Sequence, residues 1–386
     1  MSIELHPPEL IFPAEVELAE AAVEADERRY MVSQWRLMGR RFVRNRAALV
    51  GGVVIGILYL TALFANFLAP YSVENRFFQY LYAPPQGIHL FHDGRFEPYI
   101  YPIKLTIDPT SLRKVYTVDR SRVIPLHFFV HAEPYRLFGL IPTDVHLFGV
   151  DDPSAAVLLL GTDRQGRDLL SRILIGSQIS LTVGLVGVVL SLIFGTIIGI
   201  ASGYFGGRLD DLIQRVIELI RSFPTIPLWM GLSAALPPNW PPLLTYFGIT
   251  VILSFIGWTW LARQLRGKVL ALREEEYIHA AEIAGASPLW VITRHLIPAT
   301  LSHIIVIATL ALPNMILAET ALSFLGLGIR PPLTSWGVLL QEAQNIETLA
   351  NYPWLLSPLA FIAVAVLAFN FLGDGLRDAS DPYTVS

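Results

Sequence analysis

The run ILIGSQISLTVGLVGVVLSLIFGTIIGIASGYFGG, residues 173–207, decides the fold, because it holds 35 consecutive residues without a single charge. A helix rises about 1.5 Å per residue, so about 20 residues are enough to cross the ~30 Å hydrocarbon core of a bilayer. The run is therefore long enough to contain one complete membrane-spanning helix.

Four further stretches are almost as free of charge, namely residues 47–73, 222–262, 296–329 and 348–373, with Glu319 as the one charge among them. The second of these is divided by the proline-rich break PPNWPP at residues 237–242. We therefore predict an all-α polytopic membrane protein with six transmembrane helices. The expected spans are residues 48–70, 178–202, 212–235, 243–262, 299–325 and 353–373, the third being bent by Pro224 and Pro227.

Composition agrees with this class. Charged residues make up 16% of the 386-residue chain, against about 25% in soluble domains. So few charges could not cover the apolar surface of a soluble fold, which argues against a soluble enzyme, a nucleic-acid-binding protein and a disordered chain. The absence of cysteine excludes disulfides and thiolate chemistry.

Lysine and arginine near the short loops predict the orientation. They are concentrated before span 1, after span 2 and after span 4, so these regions are expected in the cytoplasm together with both chain termini. The predicted organisation is a cytoplasmic segment 1–46, span 1 at 47–71, an extracytoplasmic insert 72–172 and a five-span core 173–386. Strand-like pieces at 99–105 and 123–129 give the insert partial β character.

Motifs of catalysis and nucleotide binding are missing. The sequence contains no GxxxxGK[ST] phosphate loop and no GxSxG nucleophile elbow. His127 and His131 have helical zinc-site spacing but lack the glutamate of an HExxH pattern. We expect no catalytic residue, no metal site and no cofactor on this chain, and no nucleic-acid partner.

The segment REEEYIHAAEIAGASPLW, residues 273–290, stands out in the loop between spans 4 and 5. Its helical part places Tyr277, Ala280, Ala281 and Ala284 on one face of small side chains, and Gly285 ends it. A helix in a cytosolic loop has little core of its own to pack on. This face therefore predicts close contact with another protein chain.

These residues resemble a known family. AAxxxG at 280–285 followed by RHLIP at 294–298 is similar to the EAA loop of bacterial ATP-binding-cassette importer permeases. GTDRQGRD at 161–168, LSFLGLG at 322–328 and NFLGDGLRD at 370–378 resemble the dipeptide/oligopeptide/nickel branch, in its second or "C"-type permease subunit.

The resemblance implies a permease subunit in the bacterial inner membrane that forms half of a translocation pathway. The implied partners are a second permease, two cytosolic ATPase subunits that bind ATP and Mg²⁺, an extracytoplasmic solute-binding protein and the surrounding membrane lipid. The coupling loop would span about residues 273–298. Its implied ATPase-coupling residues are Tyr277, Ala280, Ala281, Gly285, Ser287, Arg294 and Pro298.

Several alternatives stay open at this point. Glu319 is either a pathway residue that contacts a substrate ammonium group or a helix-packing residue. Asp374, Arg377 and Asp378 form either a solvated helix end or a cytosolic contact. Peptides are the favoured substrate, with oligosaccharides or a nickel chelate as alternatives. An ion-coupled secondary transporter would need ionisable residues at mid-membrane, and Glu319 is the one candidate.

Overall fold

The structure is a computed structural model, and it describes residues 34–92, 94–107, 109, 114–152 and 155–380. Its long helices are formed by the charge-free runs of the sequence. Residues 1–33 of the predicted cytoplasmic segment and the last six residues of the predicted core lie outside the described residues. In chain order the helices are α1 (Gln34–Arg44), α2 (Arg46–Leu63), α3 (Ala65–Leu68), α4 (Leu169–Phe205), α5 (Gly207–Ser222), α6 (Thr225–Ala234), α7 (Pro242–Leu272), α8 (Glu276–Ile283), α9 (Pro288–Val291), α10 (Ile297–Phe324), α11 (Trp336–Leu340), α12 (Ile346–Asn351) and α13 (Ser357–Ser380).

Five helical stretches among the described residues are long and apolar enough to cross a membrane: Arg46–Leu63, Leu169–Phe205, Pro242–Leu272, Pro288–Phe324 and Pro353–Ser380. Each contains or closely overlaps one of the predicted spans. The stretch Pro288–Phe324 joins α9 and α10 through one turn of π-helix, Ile292–Leu296.

The third predicted span, 212–235, is not one bent helix. The structure has two helices there, α5 and α6, separated at Phe223 and Pro224. Pro224 has no backbone N–H and disfavours helical backbone in the residue before it, and Phe223 is accordingly extended at φ −84° and ψ 138°. The sequence predicted a bend here, whereas the proline ends the helix.

Helix directions define two ends of the bundle. Helices α4 and α7 run parallel, since Gly187 lies against Ser254 and Gly203 against Val269. The chain between them therefore has to return from one end to the other, which it does through α5 and α6. We call the end that carries residues 89–149 the insert end, and the end that carries α8 the far end.

Small residues on α4 let α4 and α7 approach each other closely. They recur every fourth position, at Gly187, Ser191, Gly195, Gly199 and Gly203, the spacing that brings one helix face against a neighbour. An added Cβ at any of these four glycines would lie 3.1 Å or less from an α7 or α10 atom. At Gly195, Gly199 and Gly203 that distance includes an α7 backbone oxygen, so this part of the seam between α4 and α7 is packed close to the backbone.

The insert has the predicted partial β character. Its strands are β1 (His89–His92), β2 (Arg95–Ile100), β3 (Ile103–Ile107), β4 (Lys114–Val118), β5 (Ile124–Pro125), β6 (His127–Leu137) and β7 (Ile141–Gly149). They form a three-stranded antiparallel sheet in the order β1–β2–β5 and two hairpins, β3–β4 and β6–β7. The predicted strand 99–105 is interrupted at Tyr101 and Pro102, where β2 ends before β3 begins.

Candidate functional site

The predicted coupling segment 273–298 forms a helix–turn–helix at the far end. Helix α8 ends at Ile283, and Gly285 follows with φ +85°. The N–H of Ala286 donates to the carbonyl of Ala281 and the N–H of Gly285 to that of Glu282, each at 3.0 Å. These two bonds form a Schellman motif, in which glycine supplies the left-handed residue. This geometry agrees with the prediction that Gly285 ends the helix.

The next helix begins immediately. Ser287 is its N-cap, and its hydroxyl accepts a hydrogen bond from the N–H of Trp290 at 3.3 Å. Pro288 occupies the first helical position, where no N–H is needed. The turn between α8 and α9 is therefore fixed at both sides by its own sequence.

Arg294 and Pro298 explain the π turn that follows. Proline cannot donate to the carbonyl four residues before it, and its ring pushes that carbonyl away. Here that carbonyl belongs to Arg294, and the backbone widens so that Ile297 N–H bonds to Ile292. The side chains of Arg294 and Pro298 are both exposed. The RHLIP segment thus makes a defined irregularity at the start of the transmembrane stretch.

One face of the segment packs on the bundle. Ile278, Val291 and Leu296 are fully buried, in a cluster with Ile200 of α4 and Val269 of α7. Ala281 also packs against this cluster. The face of small residues predicted from the sequence is therefore divided, because Ala281 belongs to the side that rests on the chain's own core.

The other face is open. Tyr277, Ala280 and Ala284 are exposed. Ile283 and Leu289 beside them are exposed by 88% and 71%. Neither of these two residues was predicted as a contact, although large apolar side chains in so polar a loop are typical of a surface that binds another protein. Together Tyr277, Ala280, Ile283, Ala284 and Leu289 form what we call the outer face of the loop.

Polar contacts join the loop to the end of α4. The Arg273 guanidinium donates to the carbonyls of Gly203 and Tyr204, both at 3.4 Å. Both carbonyls lie in the last turn of α4, where they have no partner inside the helix and attract positive charge. The Tyr204 hydroxyl donates to Glu282 at 2.9 Å. The loop is therefore tied to the end of α4 by Arg273 and by Glu282.

A second ionic contact ties α5 to α7 at the same end. Arg266 donates two hydrogen bonds to Asp210, from Nε at 2.6 Å and from Nη2 at 2.5 Å. Ser202 of α4 donates to the same carboxylate. The hydrogen bond from Arg266 is the main reason that the pKa of Asp210 lies below its ordinary value. Three helices thus meet at one carboxylate, a contact that no local sequence pattern predicted.

Replacing Asp210 by alanine is expected to destabilise this end of the bundle. The change removes the partner of a half-buried guanidinium, and hydrogen bonds to charged groups contribute roughly 1.5–3 kcal/mol each. The thermal unfolding midpoint of Asp210→Ala in detergent should therefore fall well below that of Asp211→Ala, whose side chain is exposed. Equal midpoints would show that the contact contributes nothing.

The same contact predicts a pH dependence. An Asp whose pKa is lowered in the folded state stabilises the fold above its ordinary pKa of about 3.9, and this contribution disappears as the pH falls through the lower folded value. The midpoint of the parent protein should therefore fall more steeply than that of Asp210→Ala between about pH 5 and pH 3. Parallel curves would contradict the assignment.

Glu319 lies in α10 and has no exposed surface. Its carboxylate accepts hydrogen bonds from Ser323 at 2.6 Å and from Ser180 of α4 at 3.3 Å. The Ser180 oxygen in turn accepts the N–H of Trp336 at 3.0 Å. Glu319 therefore joins α4, α10 and α11, and this enclosure favours the helix-packing alternative over a pathway contact.

The remaining predicted residues lie apart from the coupling segment in sequence. Asp374, Arg377 and Asp378 are exposed near the end of α13, whose last turn packs on α1 through Ser380 and Met38. The segment 161–168, quoted for its family resemblance, has a local role in the structure. Asp168 is the N-cap of α4, accepting the N–H of Ser171 at 2.7 Å, and burial raises its pKa to about 6.

Comparison with known proteins gives a consistent result. Residues 195–385 match the family described as "Binding-protein-dependent transport system inner membrane component". Residues 33–85 match the "N-terminal TM domain of oligopeptide transport permease C".

Individual relatives are similar over most of their length. The chain is 41% identical to the oligopeptide transport system permease protein OppC of Haemophilus influenzae, over 66% of this chain and 80% of the relative. It is 39% identical to OppC of Escherichia coli strain K12, over 72% of this chain and 94% of the relative. A solved chain of the MetNI methionine ABC transporter, in inward-facing conformations, aligns with 54% of this chain and 96% of its own length, at 18% identity and a TM-score of 0.43.

Proposed function

This chain belongs to the family of inner-membrane permease components of binding-protein-dependent transport systems, in the branch of the oligopeptide permease C proteins, and on that premise we propose its role in transport. It forms half of the pathway of an ATP-driven peptide importer. It binds a second permease, two ATPase subunits and an extracytoplasmic solute-binding protein. ATP and Mg²⁺ bind to the ATPase subunits, and this chain catalyses no reaction itself.

The observation that carries the proposal is the far-end loop. It presents an apolar outer face to solvent, while its inner face and Arg273 hold it to α4 and α7. Such a loop can pass a rigid-body movement of a bound partner to the bundle. An ion-coupled secondary transporter would use Glu319 to bind its ion. The Glu319 carboxylate instead accepts hydrogen bonds from two serine hydroxyl groups, so this residue gives no support to a secondary transporter.

The mechanism follows from these contacts. Closure of the ATPase dimer moves α8, and the packed cluster around Ile278 carries the movement into α4 and α7. The close seam between these two helices makes them move as one body. The pathway then alternates between inward-facing and outward-facing states.

Reconstitution with the partner subunits tests the function. Uptake of a labelled oligopeptide should need ATP and the solute-binding protein and should survive a protonophore. Uptake that collapses with the protonophore but continues without the ATPases would overturn the proposal. Mass spectrometry of the ligand on the binding protein distinguishes peptides from oligosaccharides and nickel chelates.

We further propose six crossings with both termini in the cytoplasm, and residues 212–235, in α5 and α6, form the third crossing. Single cysteines in this cysteine-free chain test this proposal. A cysteine at Phe91, which is 65% exposed in the insert, should react with a membrane-impermeant maleimide in intact spheroplasts. One at Leu289, 71% exposed at the far end, should react only after lysis. The reverse pattern would contradict the orientation.

A further inference from the structure

The turn at the tip of the β6–β7 hairpin holds a bulky residue in a strained backbone conformation. Its central residues Phe138 and Gly139 both have positive φ, at 55° and 73°, and the N–H of Leu140 closes the turn on the carbonyl of Leu137 at 3.1 Å. Tight turns of this kind favour Asn-Gly, because a bulky residue at positive φ is strained. A phenylalanine there indicates that its side chain has a use that outweighs the strain.

That side chain rests on the end of the first candidate span. The Phe138 ring lies 5.4 Å from the ring of Phe64, the residue that follows α2. The root of the hairpin is fixed as well. The ring nitrogens of His146 lie 2.6 Å from the Ala69 carbonyl, just after α3, and 3.0 Å from the Glu133 carbonyl. The tip is therefore held at the level where α2 ends.

Beyond this contact the tip is apolar and open. Leu140 and Ile141 are exposed by 80% and 55%. Leu60 and Leu63, in the last turn of α2, are exposed by 57% and 51%. By length and composition α2 can span a membrane, and the exposed apolar side chains of the tip continue the exposed apolar surface of this helix.

A cleft of about 580 Å³ lies between the tip, α2 and α4. Tyr59 and Leu63 form an apolar part of it, and Asn66, Gln178 and Arg136 a polar part. Within the described part of the chain, no carboxylate lies within ion-pair distance of Arg136. An arginine without an acidic partner, beside amide groups, is suited to a phosphate group.

We propose that this cleft binds a phospholipid of the outer leaflet and that the hairpin tip is immersed beside it. The phosphate lies on Arg136, an acyl chain follows Tyr59 and Leu63, and Leu140 and Ile141 enter the boundary between headgroups and acyl chains. The polar part of the cleft suits a lipid headgroup and its apolar part suits an acyl chain. Both parts lie at the depth where α2 ends, which is where the headgroup and the acyl chains of a lipid meet. The site requires that α2 spans the membrane, and it is independent of the transported substrate proposed above.

Depth measurements on spin labels test the immersion of the tip in the assembled importer, in nanodiscs of phosphatidylethanolamine and phosphatidylglycerol. A nitroxide on Leu140→Cys should collide with oxygen more than with a water-soluble nickel chelate, at about 5–10 Å below the phosphates. A nitroxide on Ile141→Cys should behave in the same way. The control Phe91→Cys, at the equally exposed β1–β2 hairpin, should show the opposite preference.

Two outcomes would overturn the proposal. If the labels at both tip positions collide with the nickel chelate as often as the control label does, the tip lies in water. A label protected from both reagents would mean that another protein chain covers it.

Native mass spectrometry tests the bound lipid. Arg136→Gln should retain less phospholipid than the parent chain, whereas Arg120→Gln, an exposed arginine elsewhere in the insert, should retain as much. Equal retention in the two variants would refute the headgroup site, even if the tip is immersed. Both variants keep the apolar tip and should purify as well as the parent.

Discussion

Substrate-stimulated ATP hydrolysis by the reconstituted importer is expected to fall to its unstimulated level when Gly285 is replaced by valine. Gly285 has φ +85°, where an L-residue costs about 1–2 kcal/mol and a β-branched one more. A Cβ there would meet no atom within 4 Å, so the effect comes from the backbone and not from a clash. The strain acts against the Schellman bonds and displaces the start of α9 relative to α8.

The matched control is Gly267→Val. Gly267 lies in the regular helix α7, and a Cβ there also meets no atom within 4 Å. This variant should hydrolyse ATP and transport like the parent. Both variants should insert into the membrane equally well and bind the solute-binding protein with unchanged affinity. Normal transport by Gly285→Val would mean that the loop is an ordinary turn without a coupling role.

Loss of the folded protein is expected when Gly199 is replaced by valine. A Cβ at this position would lie 2.6 Å from the carbonyl oxygen and 2.9 Å from the Cα of Ala262. Overpacking typically costs about 1–3 kcal/mol, and here the neighbour is backbone, which cannot move aside without separating α4 from α7. The yield of monodisperse protein in detergent and its unfolding midpoint should both drop sharply.

Gly56→Val is the control for this change. Gly56 lies on the exposed side of α2, with no heavy atom within 4 Å of an added Cβ. Its yield and midpoint should stay close to those of the parent. If Gly199→Val were as stable as Gly56→Val, the seam would not be closely packed in solution.

The long helices and the end of α8 are the parts of the fold that the sequence predicted well. Charge-free runs located five long helices because length and apolarity alone decide whether a helix can cross a bilayer. Gly285 located the end of α8 because glycine acts on the local backbone there. The third span is the exception. Pro224 interrupts it, and sequence alone did not distinguish a bent helix from two separate helices.

Contacts between distant parts of the chain were not predictable in the same way. Asp210 and Arg266 are 56 residues apart, and nothing in either local pattern indicates the other. The rotation of α8 about its axis was also open, so Ala281 was assigned to the outer face although it packs inward. Ile283 and Leu289 are the residues that the structure adds to the outer face, with 88% and 71% of their surfaces exposed.

Crosslinking from Ile283 in the assembled importer tests the central claim most directly. The claim is that the loop 273–298 is the contact with the ATPase subunits. A photoreactive group should be attached to Ile283→Cys and, as a control, to Ile346→Cys, an isoleucine 82% exposed in α12 at the insert end. We expect the probe at residue 283 to capture an ATPase subunit and the probe at residue 346 to capture none. Capture of the ATPase from residue 346, with none from residue 283, would contradict the account.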